Sequence, residues 1–259
     1  PIVSANLSEA QRLISDAVKQ GAELVVLPEN FSHMGMSEED ILEVAEPYGK
    51  GQVQTFLSSL AKQMGIWLVG GTIPIKSEYQ HKIYAASLLY NDLGYVAARY
   101  HKIHLFDQDL GKLGGSYNES SFTVPGTEAV VADTPFGKLG LAVCYDLRFP
   151  ELFRCMMGSG AEIIAIPSSF TATTGKAHWE VLNRTRAIEN LCYIISAAQG
   201  GYHVNGRETH GDTMIIDPWG GIIDRLRQGS GFVIAEVDQN KVQRTRKNFP
   251  VLEHTKIKC

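Results

Sequence analysis

Apolar residues near the start of the chain fall at helical spacing: Leu7, Ala10, Leu13, Ile14, Ala17 and Val18 share one face, and Gly21 supplies a stop. Asn6, with Glu9 three residues on, fits a capping box and puts the helix start there. The pattern then changes to an unbroken apolar run, Leu24-Val25-Val26-Leu27, closed by Pro28, which suits a strand buried on both faces. The whole block 21–31 returns, position for position, at 160–170, with Ile163-Ile164-Ala165-Ile166-Pro167 in place of Leu24-Val25-Val26-Leu27-Pro28. Two units of the chain are therefore related.

Each copy follows a predicted helix, the second starting near Pro150, a favoured first-turn residue. Downstream of each comes a further helix and an apolar strand, at 66–72 and 192–198, and then a hairpin. The hairpin turns are Asn91-Asp92-Leu93-Gly94 and Asp217-Pro218-Trp219-Gly220. The order α-β-α-β-β, twice, predicts an α/β fold of two packed sheets with helices outside, a four-layer αββα sandwich of pseudo-twofold form. No linker-like stretch interrupts it, so residues 1–259 are expected to form one domain.

With 259 residues and 44% hydrophobic content, the chain can bury a sizeable core. A formal net charge of -4, without a dense basic cluster, argues against nucleic acid or an anionic membrane surface as partner. No apolar run reaches the roughly 20 residues that span a bilayer, and the opening Pro1-Ile2-Val3-Ser4 lacks a signal-peptide pattern, so a cytoplasmic protein is expected. Cys144, Cys155, Cys192 and Cys259 are too few and scattered for a disulfide framework, and no C-x-x-C pair suggests zinc.

Candidate chemistry sits at predicted strand ends. Cys144 closes the apolar run Leu139-Gly140-Leu141-Ala142-Val143 and precedes the polar Tyr145-Asp146-Leu147-Arg148, the sheet edge where α/β proteins bind ligands. A buried core cysteine is the commoner fate of such a thiol. Glu29 lies just beyond the first duplicated strand, where the second copy has Ser168; shared residues serve the fold, and unshared ones are free for chemistry. Lys102, in Arg99-Tyr100-His101-Lys102-Ile103-His104-Leu105, shares a strand face with His104. Each alone reads more simply as a solvated acid or an edge lysine. Together they make sense as one device. A thiol near its reference pKa of about 8.5 is only slightly ionised at neutral pH and needs a base. Glu29 can accept its proton if burial raises the carboxyl, and can return that proton to a departing amine. Lys102 favours the thiolate and a developing oxyanion, and the backbone N–H of Tyr145 can complete the oxyanion hole. The scattered His101, His104, His178 and His210 have no partners in metal-site spacing, so no metal and no cofactor is expected.

These residues are the Glu-Lys-Cys constellation of the nitrilase superfamily of carbon-nitrogen hydrolases, which the chain resembles nearly end to end. The matching motifs are Leu27-Pro28-Glu29-Asn30, Tyr100-His101-Lys102-Ile103-His104-Leu105, and the segment from Gly140 through Cys144 to Glu151. The resemblance implies the αββα sandwich, a second glutamate, Glu119, that holds the lysine and orients substrate, and homodimers or higher homo-oligomers joined with help from the segment 249–254. It implies a cysteine-dependent amidase that turns a small carboxylate-bearing amide into acid and ammonia through a thioester. Segments 166–170, 174–182 and 184–189 look most like the amidases that hydrolyse deaminated glutathione, with Phe170, Thr174 and His178 as expected substrate contacts. Lys176, Arg184, Arg186 and Arg207 follow the 163–166 strand and could pair with an anionic substrate; for Arg184 and Arg186 a helix-face pairing with Glu180 or Glu189 is an equal expectation.

Family members usually open with an apolar strand before the Ser4-Ala5-Asn6-Leu7 segment, whereas only a few residues precede it here. The expectation is a strand neighbour left unpaired, at some cost in stability and activity. Other functions remain open: an ω-amidase or carbamoylase of the same superfamily, or a catalytically silent binding scaffold. A serine hydrolase is disfavoured, because no G-x-S-x-G elbow is present.

Overall fold

A computed structural model describes residues 2–111 and 115–257; Pro1 and Cys259 lie outside them. Helix α1 (Val3–Lys19) leads to β1 (Leu24–Val26), and α2 (Gln52–Met64) to β2 (Trp67–Val69), β3 (Ile73–Lys76), β4 (Ile83–Tyr90) and β5 (Val96–His101). Two short strands, β6 (Asp107–Asp109) and β7 (Ser116–Asn118), form a separate ribbon. The second half runs β8 (Val130–Thr134), β9 (Gly137–Leu141), α3 (Pro150–Gly158), β10 (Ile163–Ala165), α4 (Ala172–Asn190) and β11 (Tyr193–Ser196). It ends with the ribbon β12 (Gly200–Tyr202) and β13 (Glu208–His210), then β14 (Thr213–Ile216), β15 (Ile222–Leu226) and α5 (Gln239–Asn248).

The duplication is carried into three dimensions. β1 pairs parallel to β2 as β10 pairs parallel to β11, and the β4–β5 and β14–β15 hairpins close at the predicted turns, with Gly94 and Gly220 donating to Asn91 and Asp217. The first sheet runs β1-β2-β4, with β3 on the same side of β4 as β2 and β5 on the other; the second runs β15-β14-β11-β10-β9-β8. Val69, Leu89 and Tyr100 of the first sheet share one buried cluster with Leu139, Leu141 and Ile164 of the second. Helices α1 and α2 pack together on the outer side of the first sheet, and α3 and α4 on that of the second, which gives the four αββα layers.

Two local expectations differ. Helix α1 starts at Val3, and Asn6 lies inside it, because its side chain donates to the Ser32 carbonyl at 2.9 Å in place of capping the helix. The strands are also shorter than their apolar runs, since Leu27-Pro28 and Ile166-Pro167 leave the ladder at Pro28 and Pro167. β1 pairs with β2 alone among the described strands; its other edge and the segment 231–237 border a groove of about 990 Å³. Among the described residues no helix is long and apolar enough to cross a membrane.

We propose that residues 1–259 unfold as one unit, because the two sheets share this core. Leu89→Ala, at a fully buried position, should lower stability by about 2–5 kcal/mol while keeping a single cooperative transition. Separate transitions by circular dichroism and tryptophan fluorescence would contradict it.

Candidate active site

Four strand ends meet at one cavity of about 130 Å³. Glu29 and Asn30 come from beyond β1, Lys102 from the end of β5, Cys144 from beyond β9, and Ser169 and Phe170 from beyond β10. The duplication explains the convergence: Ser169 and Phe170 are the counterparts of Asn30 and Phe31, so the pseudo-twofold sets the two copies of one strand end face to face. The Glu29 loop is held by Gly71, whose φ of +58° and lack of a Cβ let it pack against Pro28; a Cβ there would lie 2.2 Å from the Pro28 carbonyl oxygen. The Thr72 hydroxyl accepts from the Asn30 N–H at 2.9 Å.

Lys102 is 2% exposed and spends its donors on two carboxylates, Glu29 Oε1 at 2.9 Å and both oxygens of Glu119 at 2.9 and 2.8 Å. Glu29 also accepts from the Ser169 hydroxyl at 2.5 Å and hydrogen-bonds the Cys144 thiol, while Glu119 accepts from the Phe106 N–H at 2.7 Å. Burial works against every charge here, and the partners decide the outcome. For Glu29, burial pushes upward, but Lys102, Ser169 and Cys144 together bring the carboxyl below its ordinary range. Glu119 goes the other way, raised by burial and by the charge of Glu29. Lys102 is held well above its usual range by Glu119 and Glu29 in spite of burial. Burial and Glu29 push the Cys144 thiol well above its ordinary value, against the opposing pull of Lys102. The resting pair is therefore a neutral thiol against an ionised carboxylate. The expectation that burial raises Glu29 is corrected: a buried ammonium at contact outweighs the desolvation.

Cys144 itself has a φ of +47°, the left-handed region, at the start of a 3-10 turn Cys144–Arg148. Its N–H donates to the Pro167 carbonyl at 2.9 Å. The turn is pinned by Asp146, which is fully buried and accepts from the Val143 N–H (2.8 Å), the His104 N–H (3.0 Å) and the Tyr100 hydroxyl (2.7 Å), with His104 Nδ1 at 2.7 Å. Tyr100 and His104 flank Lys102 at two residues either side. One carboxylate thus fixes the Cys144 turn and the Lys102 segment to each other. As a first-turn donor, the Tyr145 N–H has no partner within its turn, and Tyr145 lines the cavity.

Of the expected substrate contacts, Phe170 and Thr174 line the cavity and His178 does not; its Nδ1 lies 3.2 Å from Arg148 Nη1, and Arg148 is the residue that reaches the wall. Arg148 lies over the rings of Phe170 and Tyr145. Arg184 pairs with Glu180 at 3.6 Å, and Arg186 with Glu189 at 2.7 Å while it also holds the Leu147 carbonyl, so both serve the helix and the nucleophile turn. Arg207 lines the cavity. Lys176 does not. Ser169, Asp146 and Arg148 were not assigned roles from sequence. Among the described residues no cluster of His, Cys, Asp and Glu side chains is arranged to hold a metal ion.

The carbon-nitrogen hydrolase family profile matches residues 2–247. A deaminated glutathione amidase of Synechocystis sp. is 42% identical over 257 residues, covering 98% of this chain and 93% of the relative. Its Homo sapiens counterpart is 40% identical over 259 residues, covering 98% and 78%. Among solved structures, the Saccharomyces cerevisiae Nit3 protein, a member of branch 10 of the nitrilase superfamily, superposes with a TM-score of 0.87 at 33% identity, covering 97% of this chain and 90% of its own. The C. elegans NitFhit protein superposes with a TM-score of 0.91 at 36% identity; this chain spans 62% of its length.

Two outcomes follow from the site. Glu29→Gln removes a charge that raises the thiol, so alkylation of Cys144 by iodoacetamide should set in at lower pH than in the wild type even as amide turnover is lost. An unchanged or raised onset would mean Glu29 does not control the thiol. Asp146→Asn supplies fewer acceptors than its four partners need, and should cost about 1–3 kcal/mol in stability and slow Cys144 labelling; wild-type melting and labelling would show that the turn is held otherwise.

Proposed function

The chain belongs to the carbon-nitrogen hydrolase family, hydrolases of non-peptide carbon-nitrogen bonds, and from that membership we propose that it is a cysteine-dependent amidase acting on deaminated glutathione or a close carboxylate-bearing amide. The observation that carries the chemistry is the ionised Glu29 hydrogen-bonded to a neutral Cys144 thiol beside a buried ammonium. Glu29 takes the thiol proton as sulfur attacks the amide carbonyl carbon, so that no free thiolate need persist. The negative charge moves to the carbonyl oxygen, where the Tyr145 N–H and Lys102 receive it. Lys102 can contribute a proton donor there by giving up one of its two contacts with Glu119. Collapse of the tetrahedral adduct breaks the C–N bond, and the proton on Glu29 passes to the departing amine. A primary amide releases ammonia; deaminated glutathione releases cysteinylglycine, whose nitrogen takes the proton. Water then enters, Glu29 accepts its proton, and the thioester is cleaved to free acid and thiol.

The substrate follows from the named relatives and from the cavity. Small-molecule sites commonly enclose about 300–1,000 Å³. At about 130 Å³, this one encloses only part of such a substrate, with the remainder towards a rim that carries the exposed Ser37 and Glu38. A catalytic thiol with an exposed second thiol, Cys155, suits a reducing compartment, so we place the enzyme in the cytoplasm. We also propose a homodimer through α4, where Val181 and Ile188 are exposed beside Ile223 and Trp219, the latter packed on Phe249 of the C-terminal segment.

Intact-protein mass spectrometry of a substrate-quenched sample should find the acyl adduct on Cys144, and Cys144→Ala should be inactive; activity in Cys144→Ala would overturn the assignment. In one buffer, kcat/KM for deaminated glutathione should exceed that for α-ketoglutaramate, a neutral amide of similar size and an aliphatic nitrile, and a preference for the nitrile would contradict an amidase. Light scattering should give more than one 28.5 kDa unit at micromolar concentration.

A further inference from the structure

The ribbon β12–β13 contributes nothing to either main sheet, yet its tip reaches the cavity. Asn205 Nδ2 donates to the Gly35 carbonyl at 2.9 Å, which ties the tip to the loop that follows Glu29. The Asn205 side-chain oxygen accepts from the Arg207 N–H at 2.9 Å, and the Arg207 carbonyl accepts from the His203 N–H at 2.9 Å, so the backbone at Arg207 is fixed. From there the Arg207 side chain enters the wall shared with Glu29, Cys144 and Lys102. Its Nη2 donates to the Ser169 carbonyl at 2.5 Å and lies 3.5 Å from the Ser169 hydroxyl, and its guanidinium carbon sits 5.1 Å from the Tyr117 ring centroid.

Two features of this guanidinium are unresolved within the protein. Its Nε is buried without a hydrogen-bond acceptor among the described residues. No carboxylate of the described residues pairs with it either: Glu29 and Glu119 are taken by Lys102, and the nearby rim acid Glu38 accepts from the Asn118 N–H at 3.1 Å. Arg186 and Arg225, by contrast, each have a carboxylate partner. A buried N–H left without an acceptor costs about 1–3 kcal/mol, and Nε–H together with Nη2 is the edge with which arginine grips a carboxylate side-on. What the cavity lacks is an anion.

Taking the amidase reading above as its basis, we propose that Arg207 determines specificity: it receives a carboxylate of the substrate and rejects amides that have none at that place. Deaminated glutathione offers two, one on the acyl part beside the keto group and one at the end of the departing dipeptide. The test separates them. Wild type, Arg207→Gln and Arg207→Lys are compared on deaminated glutathione and on two derivatives, each with one of the carboxylates converted to a carboxamide. Arg207→Gln should raise KM for deaminated glutathione about ten- to hundredfold with little change in kcat, and add no further loss against the one derivative that lacks the matched carboxylate. That derivative names the end that is read. Arg207→Lys should recover only part, because a point charge lacks the fork.

Equal losses on all three substrates, or a fall in kcat with KM unchanged, would overturn the proposal and reduce Arg207 to a support for Ser169. If Arg207→Gln does not fold, the wild type decides alone: about tenfold discrimination against one derivative supports the proposal, and equal rates on all three overturn it. If wild type hydrolyses none of them, the amidase reading fails on its own. Calorimetry with the Cys144→Ala enzyme then still tests the anion site, since the same Arg207→Gln contrast should appear in binding of deaminated glutathione, and its absence would refute the site.

Discussion

The buried ammonium of Lys102 is the constraint around which the site is arranged. Lys102, 2% exposed, lies between the carboxyl groups of Glu29 and Glu119, and each ion buried there carries a desolvation penalty of several kcal/mol. Such a cluster persists only because contact distances of 2.8–2.9 Å and added donors from Ser169 and Phe106 offset that penalty. Removing one member strands the others, which typically costs about 3–5 kcal/mol. The same cluster sets the protonation of its neighbours: Lys102, Ser169 and Cys144 hold Glu29 below its ordinary range, while burial and the charge of Glu29 push the Cys144 thiol up.

Holding that cluster together across two sheets falls to Asp146. Lys102 belongs to the first sheet and Cys144 to the second, so any slip between sheets would part them. Tyr100 and His104 lie two residues either side of Lys102, and both bind Asp146. The same carboxylate caps the turn that puts Cys144 at φ +47°, a conformation that costs of order 1–3 kcal/mol for a residue other than glycine. One buried acid therefore sets both the distance between the reacting groups and the angle at which the thiol is presented.

Much of this was legible in the sequence, for identifiable reasons. The repeated block at 21–31 and 160–170 carried the fold, because strands buried on both faces read as continuous apolar runs that end in proline. Glu29 and Cys144 were found because each closes an apolar run, and Lys102 because an extended segment puts it on the polar face with His104. Ser169 carried no role in the sequence, because nothing along the chain shows that the two copies face each other and turn its hydroxyl onto Glu29. His178 misses the cavity and Arg148 lines it, because the pattern along one helix says nothing of a side chain that reaches the wall from another element. The direction of the Glu29 shift was beyond reach, since it depends on how many donors converge in space. The Asn6 cap failed for the same reason, its amide being claimed by a carbonyl 26 residues away.

The division of labour between strand ends and loops bears on how such a site can change its substrate. Glu29, Lys102 and Cys144 are placed by strands whose registers are fixed by a shared core, so a shift in one moves all three, and the chemistry tolerates little variation. Arg207 and Asn205 instead come from a two-stranded ribbon anchored at its tip by two side chains, outside both main sheets. The ribbon meets the site at a few named points: Asn205 on the Gly35 carbonyl, the His210 N–H on the Phe170 carbonyl, and Ser169, which touches Arg207 on one side and Glu29 on the other. Specificity can thus vary on the ribbon while catalysis stays with the sheets, and Ser169 is the side chain that touches both Arg207 and Glu29.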